Sequence, residues 1–317
     1  MLSLAIIIPA YNEALTIRQV ILDFHHTCPE AAIVVVDNAS TDTTADITRD
    51  TFAKIADKGG QRYQLLYEGR RGKAAAMRRA FAEVDADIYV MVDADCTYPA
   101  TDLSALLTPV QEGCADMVVG NRHADKRYQN ENKRPLHNWG NRLVVCLINS
   151  LFHGSLEDIL SGYRVMTKRF VKTYPILSHG FAIETEMSIH ALDKGFRVLE
   201  MPTQYRDRPE GSFSKLNTIR DGIRIIRLIF DIFIYFRPFI FFTSLAVLLV
   251  LASLAAGLVP VLEFCRTSYV THVPLAILAS GLVVSGLLSL FTGIILDGVA
   301  RAQRFNYTLQ LLQWHDN

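Results

Sequence analysis

The chain carries no excess of charge of either sign: 32 lysines and arginines balance 32 aspartates and glutamates over 317 residues. With no basic surplus, nothing in the totals favours a nucleic-acid partner, and any anion site must come from a local cluster. Cysteine is sparse as well. Cys28, Cys96, Cys114, Cys146 and Cys265 are odd in number and form no C-x-x-C, which argues against a disulfide framework and against a zinc site. A reducing compartment fits most of them. No internal repeat, low-complexity tract or long linker interrupts the chain. The apolar start "LSLAIIIPA" lacks a basic leader and soon reaches Pro9, so it reads as a first strand and not as a signal peptide.

Long hydrophobic runs are present, but only in the last third. Pro238 to Leu262 and Val273 to Leu296 are uncharged, and each exceeds the roughly 20 residues needed to cross a hydrocarbon core. Both read as transmembrane helices. Arg220, Arg224, Arg227 and Arg237 precede the first and Arg301 and Arg304 follow the second, while the loop between them holds only Glu263, Arg266 and His272. The positive-inside bias then puts both flanks in the cytoplasm. In the second run Gly281, Ser285, Ser289 and Gly293 recur every four residues; this is either a face for close helix approach or the ordinary abundance of small residues in membrane helices. Between Asn217 and Phe236, arginines and isoleucines fall on different faces, the pattern of a helix lying in the membrane interface.

The first 120 residues repeat an apolar run, a polar turn and an amphipathic helix. Strands are expected near Leu4 to Ile8, Ile33 to Val36, Gln64 to Tyr67, Ile88 to Val92 and Met117 to Val119, forming a parallel sheet with helices on both faces. Further on, a polar loop over 123–135 leads to a helix near Asn138 to Phe152. A strand near Tyr163 to Met166, a helix from Ile183 to Lys194 closed by Gly195, and a strand ending at Pro202 complete the domain.

The stretch "DADIYVMVDADCTYPA" holds Asp-x-Asp twice, as Asp85 and Asp87 at the start of a buried strand and as Asp93 and Asp95 at its end. Ligands of parallel α/β sheets bind outside the carboxyl ends of the strands, so the second pair is the candidate for chemistry. Its carboxylates are spaced to share a divalent cation with a bound diphosphate. "PAYNE" follows the first strand and "DNASTD" the second, again at strand ends, although Asn12 and Ser40 also suit helix caps. The turn "EGRRGKAAAMRR" brings Gly69, Gly72 and Lys73 to a helix start, which suits an anion such as a diphosphate, or is a glycine turn followed by solvated cations. It is not a Walker loop, because G-x-x-x-x-G-K-[ST] is absent.

Taken in order, "PAYNE", "VVVDNASTD", "GRRGKAAAMRRA", "VMVDADCTYP" and "VVGNR" resemble the motifs of family 2 glycosyltransferases of the GT-A fold. "DILSGYRVMTKRF", "GFAIETEMSIHALDKGF" and "YRDRPEGSFSKLN" extend the likeness, over about residues 4–236, to the dolichol-phosphate mannose synthase group, the polyprenyl-phosphate glycosyltransferases. The two spans are similar to those of members with two C-terminal membrane helices. The resemblance implies an α/β fold with a GT-A domain over residues 1–216, an interfacial helix over 217–237, a transmembrane hairpin over 238–296 and a cytoplasmic tail over 297–317.

It also implies roles. Pro9, Tyr11, Glu13 and Asp37 would hold the nucleoside of a UDP- or GDP-sugar, Lys73 would meet its diphosphate, and Asp93 and Asp95 would bind that diphosphate with Mg²⁺ or Mn²⁺. Arg122 and Arg206 would grip the phosphate of a polyprenyl phosphate, with Arg134, Ser161, Arg164, Arg208 and Lys215 as further candidates. An enzyme of the inner membrane with cytoplasmic termini, transferring a sugar with inversion, is the expected whole, and two-span relatives suggest a homo-oligomer, a tetramer. Asn38 and Thr97 depart from the mannose synthase pattern, in which an aspartate and a glutamine are common at these places, so the sugar stays open. A processive polysaccharide synthase would carry Q-x-x-R-W, which is absent. A nucleotidyltransferase would carry a glycine-rich loop in place of "PAYNE", and a catalytically inactive scaffold would have less need of Asp93, Asp95, Arg122 and Arg206.

Overall fold

The computed structural model describes residues 2–56, 62–124, 135–152, 154–176, 183–206 and 236–314, together with 230 and 234. It divides into two units, Met1–Asn217 and Thr218–Asn317.

In the first unit the strands β1 (Leu4–Ala10), β2 (Ala32–Asp37), β3 (Tyr63–Tyr67) and β4 (Ile88–Met91) alternate with helices α1 (Ile17–Thr27), α2 (Thr44–Ile55) and α3 (Lys73–Glu83). After β4 come α4 (Leu103–Gln111), β5 (Met117–Asn121), α5 (Pro135–Phe152), β6 (Arg164–Thr167), α6 (Lys168–Thr173), α7 (Ile183–Asp193) and β7 (Val198–Pro202). Ile6, Ile7 and Ile8 of β1 are fully buried on both faces, as expected of a central strand covered by helices. Each such isoleucine stabilises the fold by roughly 1.5–3 kcal/mol. Helix α1 turns Ile17, Val20, Ile21 and Phe24 toward this core at the helical period. Alanine-rich α3 buries Ala74, Ala75, Ala76, Met77 and Ala80, so its backbone can lie close to the sheet. Gly195, in the left-handed region at φ 72°, closes α7 as expected.

The seven strands run in the order β3-β2-β1-β4-β6-β5-β7. The sheet is mixed, not parallel throughout: β6 is antiparallel to both β4 and β5. A short strand buried on both faces carries no sign of its direction in its composition, and the long β5–β6 connection permits either sense. The consequence is local and decisive. Met91, the last residue of β4, pairs with Arg164, the first of β6, so the turn leading into β6 arrives at the carboxyl end of β4. The polar loop expected over 123–135 lies mainly outside the described residues.

In the second unit, α8 (Pro238–Thr267) and α9 (Val273–Trp314) are both long and apolar enough to cross a membrane. Most of their side chains face outward, unlike the core helices of a globular domain. Ser253 Oγ donates to Ala279 O at 2.7 Å and Ser289 Oγ to Phe242 O at 2.9 Å, tying the two helices together. A Cβ on Gly293 would stand 2.8 Å from that of Phe242, so Ser289 and Gly293 serve the contact within the hairpin. Gly281 of the same expected row meets nothing within 4 Å. Helix α9 continues past residue 296 to Trp314, so most of the expected tail is helical. The expected interfacial helix over 217–237 falls largely outside the described residues.

Candidate active site

Three turns at the carboxyl ends of β1, β2 and β4 contain left-handed, non-glycine residues: Asn12 (φ 55°), Ala39 (φ 57°) and Cys96 (φ 61°). Such conformations cost free energy and persist where surrounding bonds enforce them. Here the bonds run between turns. Asn12 N–H donates to Ser40 Oγ at 3.0 Å, Thr41 N–H donates to Asn12 Oδ1 at 2.7 Å, and Glu13 N–H donates to Thr44 Oγ1 at 2.9 Å. Asn12 and Ser40 therefore bind the "PAYNE" and "DNASTD" turns to each other, and neither caps the helix that follows. Asp37, the last residue of β2, is buried and accepts from Ser40 N–H at 3.3 Å. Pro9, half-buried in β1, lies opposite Val36 in the register, and Tyr11 presents its ring to Arg71, 5.6 Å from the guanidinium carbon.

The next residue, Asn38, does a task no aspartate could. Its amide donates to Arg70 O at 2.7 Å and Glu68 O at 3.3 Å, while its Oδ1 accepts from Gly72 N–H at 2.6 Å. The start of α3 is thereby pinned to the end of β2. Gly72 stands at φ 124°, a conformation open to glycine, and directs the chain into α3 at Lys73.

Lys73 turns inward instead of out to solvent. Its ammonium pairs with Asp93, just past β4, and with Glu184 in the first turn of α7 at 2.6 Å. Burial alone would depress the lysine pKa; Asp93 and Glu184 outweigh it and hold the group well above its ordinary value. Asp93 also leans on Gly162, whose missing side chain leaves room for the carboxylate. The antiparallel entrance of β6 is what brings Gly162 there. Asp95 is buried, and its Oδ1 accepts from Thr97 Oγ1 at 2.6 Å and Thr97 N–H at 3.2 Å. At Cys96, directly after Asp95, burial pushes the thiol up to about 11, aided by Asp23, Asp95 and Glu13, so it stays protonated and is no nucleophile.

Among the described residues no three His, Cys, Asp or Glu side chains gather into a closed metal centre. Asp93 and Asp95 are hard oxygen donors one residue apart, with Asp95 oriented by Thr97. They fit a divalent cation whose remaining ligands come from a diphosphate and water.

The cationic side of the site is built on Asp158. Arg122, just after β5, donates through Nε and Nη2 to its two oxygens at 2.7 and 2.8 Å, and through its backbone N–H at 3.1 Å. Asp158 is fully buried. Burial works against its charge, but the bonds and charge of Arg122 prevail and keep the carboxyl below its ordinary range. The Arg122 guanidinium lies 5.6 Å from the Tyr205 ring, and Arg206 N–H donates to Thr97 O at 2.9 Å, placing the exposed Arg206 beside the Asp95 turn. The Tyr98 hydroxyl, on a ring packed against Tyr205, accepts from Ser161 Oγ at 3.4 Å and from Gly162 N–H at 3.0 Å.

Two expected phosphate ligands are placed differently. Arg164 is fully buried and donates to Ser161 O, Ile159 O and Ser188 Oγ at 2.8–3.0 Å, so it braces the β6 turn from inside. Ser161 is likewise fully buried. Arg134, Arg208 and Lys215 lie outside the described residues. Conversely, Glu184, Asp158 and Gly162 emerge only from the structure. Their signal was the pair of stretches "DILSGYR" and "GFAIETE", whose roles depend on where β6 and α7 pack.

A family model described as glycosyl transferase family 2 matches residues 5–174. A protein named glycosyltransferase AglJ, from Haloferax volcanii, is 31% identical over 303 residues, 95% of each chain. An undecaprenyl-phosphate mannosyltransferase from Micrococcus luteus is 29% identical over 210 residues, 65% of this chain and 84% of that protein. Among solved structures, glucosyl-3-phosphoglycerate synthase from Mycobacterium tuberculosis, in complex with Mn²⁺, UDP and phosphoglyceric acid, aligns with a TM-score of 0.55 at 19% identity. That alignment covers 73% of this chain and 78% of that one, and it speaks for a shared GT-A-like fold.

Proposed function

The chain belongs to glycosyl transferase family 2, and on that premise we propose that it moves a sugar from a nucleotide-diphosphate sugar to the phosphate of a polyprenyl phosphate, with inversion and with a divalent metal. The observation that carries this reading is the joining of two unlike sets of groups at one sheet edge. Asp93 and Asp95 leave β4 there, and Arg206 is bonded to the same turn through Thr97 while Arg122 stands against its neighbour Tyr205. Carboxylates suit a metal-bound diphosphate, and guanidinium forks suit a phosphate acceptor.

In this reading Pro9, Tyr11, Glu13 and Asp37 receive the nucleoside, and Lys73 neutralises the diphosphate. A cation held by Asp93 and Asp95 would supply Lewis-acid stabilisation of the charge on the departing diphosphate. Arg122, aimed by Asp158, and Arg206 orient the acceptor. Its phosphate is already anionic near neutral pH, with a second ionisation near pKa ~6, so the chain needs no strong general base. Direct attack inverts the anomeric centre, giving a β-linked product from an α-linked donor. The hairpin of α8 and α9 suits an acceptor whose tail stays in a bilayer, and the arginine-rich flanks favour a cytoplasmic catalytic unit at the inner membrane. The relatives' names support the lipid acceptor, and the Mn²⁺ and UDP of the solved structure support the metal and the nucleotide.

The test is to incubate the purified chain with undecaprenyl phosphate, Mg²⁺ or Mn²⁺ and a panel of UDP- and GDP-sugars, then weigh the lipid by mass spectrometry. One added hexose or N-acetylhexosamine mass, lost without metal and in Asp95→Ala, is the expected result. No added mass with any donor, from a folded and UDP-binding protein, overturns the acceptor assignment.

A further inference from the structure

Lys73 sits where a metal-binding carboxylate should be open. Its ammonium is enclosed between Asp93 and Glu184, its side chain only 10% exposed, and its position is fixed by Gly72 and by the Asn38 bonds that pin the start of α3. Glu184 is itself buried, and α7 fixes its backbone. A bare divalent cation approaching Asp93 must therefore displace an ion pair already formed.

We propose that Lys73 exchanges partners during the binding of substrate: it pairs with Asp93 before the donor arrives, and passes to the donor diphosphate, still tethered by Glu184, when metal and nucleotide enter together. The inference rests on the metal and donor reading above and adds an order of events to it. A metal alone gains Asp93 only by leaving Lys73 with one partner fewer. A metal that arrives with a diphosphate brings the anion that replaces Asp93 beside Lys73, so the exchange conserves the ion pairing. Metal and nucleotide then bind cooperatively, and by linkage each raises the affinity for the other equally. Glu184 is a positioning residue: it touches neither reactant and acts by keeping Lys73 within reach of both arrangements.

The test is a titration of the detergent-solubilised full chain with Mn²⁺, followed by electron paramagnetic resonance of the free ion, with and without UDP. Wild type is expected to bind Mn²⁺ weakly alone. Lys73→Gln is expected to bind bare Mn²⁺ about tenfold more tightly, inside the usual range of coupling between sites, whereas Lys73→Arg keeps the wild-type weakness. Glu184→Gln releases the tether, so Mn²⁺ affinity in the presence of UDP falls about tenfold and Glu184→Asp restores part of it. If wild type binds Mn²⁺ with UDP, but neither Lys73→Gln nor Glu184→Gln shifts its affinity, the exchange is refuted and the metal reading stands. If wild type binds no Mn²⁺ even with UDP, the metal reading falls and takes the exchange with it.

Discussion

Gly162 lies flat against the carboxylate of Asp93: a Cβ at residue 162 would stand 2.8 Å from Asp93 Cγ. The contact joins the turn before antiparallel β6 to the end of β4, and it sets where the first aspartate of the pair can point. Gly162→Ala should force Asp93 aside while leaving the hydrophobic core intact. Misplacement by about 1 Å costs on the order of 100-fold in rate, and overpacking about 1–3 kcal/mol in stability. Parallel measurement of kcat/KM and thermal unfolding should show the large loss in activity and the modest loss in stability. Unchanged kcat/KM would remove Asp93 from the mechanism.

Asn38 makes a second prediction, because its amide serves as both donor and acceptor. Asn38→Asp keeps the size but removes the donations to Arg70 O and Glu68 O, and it adds a buried anion next to Asp37. Each unsatisfied buried group costs about 1–3 kcal/mol, so the unfolding midpoint should drop and UDP should bind more weakly, as read by calorimetry. An aspartate variant as stable as wild type would mean that the α3 start is not held from β2.

The Arg122–Asp158 pair should be felt in acid. Its carboxyl has a depressed pKa in the folded state, so its stabilisation is complete above the ordinary aspartate value, about 3.9, and is lost as pH falls through the lower folded value. Asp158→Asn should remove that acid-dependent loss, but at neutral pH it leaves Arg122 without its buried counter-charge, at a cost of about 3–5 kcal/mol. Chemical denaturation at pH 7 and pH 3 separates the two effects.

His190 acts in the same direction, in a higher pH window. It is buried among Phe170, Tyr174 and Phe196, and burial carries its pKa from the ordinary 6.5 down to about 4. The unfolded chain takes up the proton first, so this residue makes stability rise with pH between about 4 and 6.5, by up to roughly 3 kcal/mol at 1.4 kcal/mol per unit. His190→Gln should flatten the slope in that window, measured by denaturation at fixed pH steps. A slope that survives the substitution would place its origin elsewhere.

These predictions divide along what the amino-acid order could reveal. The place of Asp93 and Asp95 just past the carboxyl end of β4 was readable because a short, β-branched apolar run reads as a buried strand, which puts one Asp-x-Asp pair at its start and the other at its end. The two membrane-length helices were readable from composition alone. The direction of β6 was not, since burial on both faces erases any directional pattern, and with it went the approach of Gly162 to Asp93. Arg164 was expected at the acceptor phosphate because the resemblance implied it; only the packing of α7, which offers Ser188, shows it enclosed. Glu184 and Asp158 were hidden for the same reason. Each finds its partner more than 30 residues away, across contacts that no local spacing records.

The most direct measurement compares two acceptors that differ in one group, polyprenyl phosphate and the parent polyprenol, under identical donor and metal in the same vesicles. The account predicts that sugar passes to the phosphate alone, that transfer disappears in Arg206→Ala, and that NMR of the product shows the inverted anomer. Equal transfer to the alcohol, or transfer indifferent to Arg122 and Arg206, would contradict it.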